Sequence, residues 1–275
     1  MIKKENNIGI IGAGNMSNAL ISGLVKAGYK KSKIYASSPE EDHLKILREK
    51  FSVNVTKENE QIIETAETVI LAVKPNVSDK VLKSLAKTII KYKPLLISIV
   101  AGLTINSIEN EIGMEAKIIR AMPNTPASIG KGVTALSQNG QIVEQDRAKA
   151  EFIFSSVGIF CWLEEKSFDL YTSLIGSGPA YIFLMIEAFQ KAAIELNLDD
   201  NLTKQLITEM FIGSATLVKL SDEEPKTLKA RVTSPGGVTE AALNLLNSND
   251  VSKLFEEAIK EGENKSLILS RGEDV

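Results

Sequence analysis

The stretch Ile8-Gly9-Ile10-Ile11-Gly12-Ala13-Gly14-Asn15-Met16-Ser17 decides the fold. An apolar run short enough for a strand meets a glycine turn, and a helical pattern opens at once and continues to Ala27. Gly12 permits the tight turn. Gly14 leaves the backbone bare, so a pyrophosphate can approach it, and Ser17 stands where the fingerprint has its third glycine, small enough for close helix–strand contact. Asn15 and Met16 open the helix, whose free amides and dipole face the phosphates. A glycine turn alone is a common feature, so its weight depends on its surroundings.

Those surroundings alternate. Strand patterns at Ile8–Ile11, Lys33–Ala36, Thr68–Val73, Leu95–Val100, Lys117–Ala121, Val133–Ser137 and Ile159–Leu163 are separated by helix-length segments at 16–27, 40–50, 78–90 and 143–157. Several strands are apolar at successive positions, as strands covered on both faces are. The alternation predicts an α/β class, with a Rossmann-type doubly wound sheet over residues 1–163. From 164 to 275 the strand patterns stop. Helical runs at Pro179–Asn197 and Leu202–Leu220 are apolar over more than the stripe of about 100° that one-sided burial needs. An all-helical dimerisation domain is the expectation, with a broad-cored monomeric bundle as the alternative.

With 44% apolar and 24% charged residues and a net charge of −3, the chain has no electrostatic footprint for nucleic acid. No continuous apolar stretch approaches the roughly 18–20 residues of a membrane span, and the N-terminal residues carry no hydrophobic leader of their own. The single cysteine, Cys161, excludes an internal disulfide and fits a cytoplasmic protein. Cys161 and Trp162 read as core residues of a strand. The one histidine, His43, reads as a solvated helix residue, and no cluster has metal-ligand spacing.

The cofactor is chosen at the end of the second strand pattern. An acid there would hold a ribose 2′-hydroxyl and repel a 2′-phosphate. The chain has Ser37-Ser38-Pro39 instead, with no acid before Glu40, which favours NADPH. No arginine is adjacent, so NADH stays open as a second cofactor. Ala72-Val73-Lys74-Pro75 and Val100-Ala101 end two further strands at the edge where open α/β sheets bind ligands. Lys74 there is a cofactor-facing cation or a solvated lysine.

Six runs then resemble one family. They are Gly12-Ala-Gly14-Asn-Met, Ala36-Ser-Ser38-Pro, Ala72-Val-Lys74-Pro, Met122-Pro-Asn124-Thr-Pro126, Gly176-Ser177-Gly178-Pro179-Ala-Tyr181 and Ser234-Pro235-Gly236-Gly237-Val-Thr239. In this order and spacing, from about residue 8 to about residue 268, they are similar to pyrroline-5-carboxylate reductase. The resemblance implies NAD(P)H-dependent reduction of L-1-pyrroline-5-carboxylate to L-proline, a homodimer formed through the C-terminal helices, and in the family assembly to a decamer. It implies cofactor contacts at Gly12, Gly14, Asn15, Met16, Ser37, Ser38, Asn59, Ala72, Val73, Lys74, Pro75, Val100, Ala101 and Asn124.

Chemistry names the remaining residues. Reducing a cyclic imine takes a hydride on carbon, a proton on nitrogen and an anchor for the substrate carboxylate. Ser234, Gly236 and Gly237 precede a helix and offer free amides as an anion site, with Thr239 as an added hydroxyl. A plain N-terminal turn reads the same way. Ser177 is placed to cap the helix of Pro179, or to touch substrate. Asn124 either orients a nicotinamide carboxamide or holds its loop. The imine can bind already protonated, so Thr172 and Thr239 are the proton-donor candidates. Glu165 and Asp222 match acidic positions near the family's site, and Arg231 alters its local charge. Two other readings remain: a β-hydroxyacid dehydrogenase, which would need a catalytic lysine that 176–189 lacks, and a nucleotide-binding scaffold without turnover.

Overall fold

The computed structural model describes residues 6–195 and 199–271. Met1–Glu5 and the expected helix end at Asn197 lie outside the described residues. The chain opens with β1 (Ile8–Ile11), α1 (Asn15–Lys26), β2 (Ile34–Ser37), α2 (Glu41–Phe51), β3 (Asn54–Thr56), α3 (Asn59–Thr65), β4 (Thr68–Leu71) and α4 (Pro75–Tyr92). It continues with β5 (Leu95–Ser98), α5 (Ile105–Ile112), β6 (Lys117–Met122), β7 (Gly132–Gln138), α6 (Glu144–Ser155) and β8 (Gly158–Trp162). The further described elements are helical: α7 (Phe168–Tyr171), a π-helical turn Thr172–Gly176, α8 (Gly178–Glu195), α9 (Asp200–Leu220), α10 (Pro225–Arg231), α11 (Val238–Ser248) and α12 (Val251–Ser270).

The eight strands lie in the order β3-β2-β1-β4-β5-β6-β7-β8. All neighbours are parallel except β6 and β7, which run antiparallel with Met122 opposite Ala135. Their connection, residues 123–131, holds one short 3-10 turn (Thr125–Ile129) and is too short for a crossover of a dozen residues. Both faces of the sheet are covered. Leu20, Ile21 and Leu24 of α1 join Ala150, Ile153 and Phe154 of α6 on one side. Ile62, Leu82, Leu85 and Ile108 from α3, α4 and α5 close the other.

Local signals explain the helices. Glu41 and Asp42 open α2 and Arg48 and Lys50 close it, matching the helix dipole at both ends. Pro75 is in the first turn of α4, where its missing N–H costs nothing. Thr104 caps α5 by accepting from the Ser107 amide at 3.0 Å. That cap makes a helix of Ile105–Ile112, which has no place among the helix segments read from the sequence.

Two compact units result: residues 1–177 together with 261–275, and residues 178–260. The division after Ser177 differs from the one expected at 163/164. Phe168 and Tyr171 pack on Ala135 of β7, and the Tyr171 hydroxyl donates to the Val133 carbonyl at 2.9 Å. These contacts hold α7 in the first unit.

In the second unit α8, α10 and α11 contain no buried residue. Leu184 on α8 is 64% exposed and Leu217 on α9 58%. The helical run Glu165–Glu195 is, by length and composition alone, apolar enough to cross a membrane. The run is not continuously apolar, since Lys166, Asp169 and Glu187 lie within it and Ser177 interrupts the helix, so no continuous apolar stretch of that length is present. The reading of Cys161 as core is corrected, because β8 is an edge strand with Ile159 and Cys161 exposed. Trp162 is half-buried under the Arg147 guanidinium, 4.1 Å from the ring centroid, and donates to Glu151 at 2.7 Å.

Candidate functional site

The phosphate turn is built as its glycines require, for two different reasons. Gly12 has φ +106°, and a Cβ there would stand 2.5 Å from the Ala72 carbonyl oxygen. Its amide donates to the Ser37 carbonyl at 2.9 Å, and its own carbonyl accepts from the buried Ser17 hydroxyl at 2.7 Å. The turn is thus tied to the exits of β2 and β4. Gly14 is an ordinary N-cap with φ −75° and ψ −173°, and nothing lies within 4 Å of a Cβ placed on it. No contact among the described residues demands glycine at 14. The open space above it, beside the uncapped amides of Asn15 and Met16, fits a pyrophosphate.

The other expected cofactor residues share this edge. Ala72 and Val73 leave β4 half-buried, and the exposed Lys74 caps α4 ahead of Pro75. Ser37 is fully buried and its hydroxyl donates to Asn59 Oδ1 at 2.7 Å, so its proton is committed within the chain. The Ser38 hydroxyl accepts from the Glu40 amide at 3.2 Å and keeps its proton. Sequence spacing concealed two cations. Lys57 follows β3, which pairs with β2 at Thr56–Ser37, and lies 3.0 Å from Glu41; Arg48 is 3.8 Å from the same carboxylate. Lys57 holds the exposed Glu41 carboxyl below the usual range. His43 pairs with Glu40 at 3.4 Å on the surface.

Val100 and Ala101 leave β5, with the Val100 amide donating to Ser98 at 3.3 Å. Asn124 is buried, accepts from the Val133 amide at 2.9 Å and donates to the Ile175 carbonyl at 3.1 Å. It ties the start of β7 to the π-turn. Thr172 opens that turn, closed by the Ser177 amide on the Thr172 carbonyl at 2.8 Å. π-Turns inside helices are frequent at functional sites, and no residue pattern announced this one. Ser177 has helical dihedrals, φ −87° and ψ −17°, so it is not the extended N-cap expected. Burial, and after it the neighbouring Cys161, pushes the Tyr171 hydroxyl well above the ordinary range, and its proton is engaged by the Val133 carbonyl.

Glu165 is a residue whose work the sequence concealed. Its carboxylate accepts from the Ile105 amide at the start of α5 (2.8 Å) and pairs with Arg120 Nη1 at 2.9 Å. Arg120 is 4% exposed and its guanidinium lies 4.8 Å from the Phe168 ring centroid.

In the second unit the Ser234–Gly237 turn precedes α11. Gly236 has φ +73°, a conformation that selects glycine. The expectation of bare glycine amides is corrected. The Gly236 amide donates to Glu240 Oε2 at 2.7 Å and the Gly237 amide to the Ser234 carbonyl at 2.9 Å. Glu240 bends back because a first-turn carboxylate is the nearest acceptor for an orphan donor. Gly237 is the N-cap, with no side-chain cap, leaving the amides of Val238 and the half-buried Thr239 at the helix start. Arg231 pairs with Glu223, so its charge is offset locally.

Residues 165–269 match the family described as pyrroline-5-carboxylate reductase dimerisation, and residues 7–102 match NADP oxidoreductase coenzyme F420-dependent. A pyrroline-5-carboxylate reductase of Pseudomonas aeruginosa is 35% identical over 264 residues, covering 96% of each chain. The chain belongs to the pyrroline-5-carboxylate reductase family. A solved pyrroline-5-carboxylate reductase from Coxiella burnetii superposes with a TM-score of 0.89 at 36% identity, covering 96% of this chain and 98% of that one. The Plasmodium falciparum reductase, solved with NADP bound, gives 0.88 at 31% identity over 97% and 99% of the two chains. Membership as a pyrroline-5-carboxylate reductase spans both halves and removes the dehydrogenase reading, which would have had to explain the C-terminal match.

Proposed function

We propose that the chain reduces L-1-pyrroline-5-carboxylate to L-proline with NADPH, the last step of proline biosynthesis. The observation that carries this reading is the full-length membership in the reductase family, joined to a phosphate turn with free space above Gly14. When bound, NADPH supplies the hydride that goes to the C=N carbon. The chain supplies position and charge. The Gly12–Ser17 turn and the start of α1 hold the pyrophosphate, and Ser38, with Lys57 nearby, faces the ribose phosphate. Val100, Ala101 and the rigid Asn124 loop bound the nicotinamide end. The amides at the start of α11 and the Thr239 hydroxyl hold the substrate carboxylate, while Glu240 competes for that turn. Thr172 or Thr239, directly or through water, gives the nitrogen its proton where the imine has not bound as the cation. Holding donor and acceptor aligned in a dry site accounts for most of the rate.

The dimerisation match supports an oligomer. We place a second copy of this chain on the exposed faces of α8 and α9, because apolar surface of this extent rarely stays in water. This assigns the exposed part of the helical run Glu165–Glu195, α8, to a protein partner rather than lipid, and further assembly of dimers into a decamer is compatible with it. The unpaired, exposed Cys161 supports a reducing cytoplasm. The deciding assay gives purified protein the imine with NADPH and then with NADH, and follows reduced cofactor. Faster consumption with NADPH is the expected result. No rate above background with either cofactor overturns the proposal.

A further inference from the structure

Two turns at the end of α12 grip both elements that flank the nicotinamide end of the site. Asp169 of α7 is 9% exposed, and its Oδ1 accepts from Ser266 at 2.7 Å and from Ser270 at 2.8 Å. The two serines are four residues apart and therefore share one face of α12. Asp169 stands one helical turn before Thr172. On a neighbouring part of the same helix, Leu269 meets Gly102, where φ is +77° and a Cβ would fall 3.1 Å from the Leu269 Cβ. Gly102 directly follows Val100 and Ala101. One end of α12 therefore touches the β5 exit and the helix that presents Thr172, all within the first compact unit.

A carboxylate nearly out of water is costly unless its lone pairs find donors. Two hydroxyls converging on one oxygen fix direction as well as distance, which an apolar contact does not. Removing either hydroxyl leaves the carboxylate to seek water or a new partner, and α7 moves with it. Substitution at Gly102 displaces Leu269 by a few tenths of an ångström and reaches the same turns from the other side.

We propose that Ser266, Ser270 and Leu269 are positioning residues for hydride transfer. Through Asp169 and Gly102 they set the spacing between the Val100-Ala101 exit and Thr172, and so the alignment of nicotinamide and imine. This rests on the proposed reaction. Cofactor affinity stays with the Gly12–Ser17 turn, so the clamp governs kcat rather than the hold on NADPH.

The test compares the full-length protein with the S266A/S270A and D169N variants. Three quantities are read: backbone hydrogen exchange over 99–104 and 172–177 without cofactor, the NADPH Kd by nicotinamide fluorescence, and kcat on the imine. The double variant is expected to exchange about tenfold faster in both segments and to lose about tenfold in kcat, a modest misplacement cost. Its Kd for NADPH stays within about twofold. D169N keeps an acceptor oxygen and is expected within about threefold of the parent in kcat. Unchanged exchange in both segments overturns the clamp, as does an equal loss of kcat and NADPH affinity. If the double variant fails to fold, Leu269→Ala is measured in its place, and the same outcomes support or overturn the clamp. An inactive parent whose variants still show faster exchange removes the reaction and keeps the clamp. An active parent with insensitive exchange does the reverse.

Discussion

The two compact units handle water in opposite ways. In the first, several polar side chains are drawn inside and answered: Ser37 by Asn59, Arg120 by Glu165, Asp169 by Ser266 and Ser270. In the second, apolar side chains stand outside and unanswered along α8 and α9. A sheet buried on both faces completes its own core, so its chemistry is legible in one chain. Helices apolar over most of their circumference complete their core only with another chain. The contrast separates what this protein does by itself from what it does as an assembly.

The largest expected effect would break that contrast outright. Leu184→Lys combined with Leu217→Lys puts charge on the exposed face and is expected to yield monomers in sedimentation. If both side chains are anchors of that contact, losing them should weaken self-association by about a thousandfold. A double variant that sediments like the parent would mean that the helical faces serve something other than assembly. Next is the buried pair. Glu165→Ala strands the Arg120 guanidinium and the Ile105 amide, which should cost about 3 kcal/mol in a denaturant melt. Glu165→Gln keeps an acceptor and should cost nearer 1 kcal/mol; equal losses would show that the charge is irrelevant.

Two smaller effects sharpen the division of labour. Gly237→Val places a Cβ 2.9 Å from the Ser234 carbonyl oxygen. It should raise KM for the imine about tenfold, roughly 1.4 kcal/mol, with KM for NADPH unmoved. Parallel shifts in both constants would move the substrate carboxylate away from α11. Lys57→Ala should lower the preference for NADPH over NADH about threefold, and less at high salt, as an exposed cation would. A preference that ignores both the substitution and the salt would assign the 2′-phosphate to Ser38 alone.

The parts legible in the sequence were those where a residue type forces a backbone state. Gly12, the apolar strands and Pro75 fix the sheet and its ligand edge, and Gly236 fixes the turn before α11. The hidden parts depend on partners far along the chain. Nothing near Glu165 announces Ile105 or Arg120, and nothing near Asp169 announces Ser266, nearly a hundred residues on. β3 escaped notice because Asn54–Thr56 is short and its first residue is exposed. The antiparallel turn of β7 was set by the length of 123–131 rather than by any residue in β7. Glu240 was readable as a first-turn acid, yet only the geometry showed it reaching back onto Gly236.

The difference between Gly12 and Gly14 has a consequence for any mutational library of this chain. Variants sorted only for staying folded should retain glycine at 12 and drift at 14, since folding itself is indifferent there. The same library sorted for growth without an external proline source should freeze both positions. Position 14 would then act as a molecular witness, recording whether a population had been filtered for durability or for metabolism.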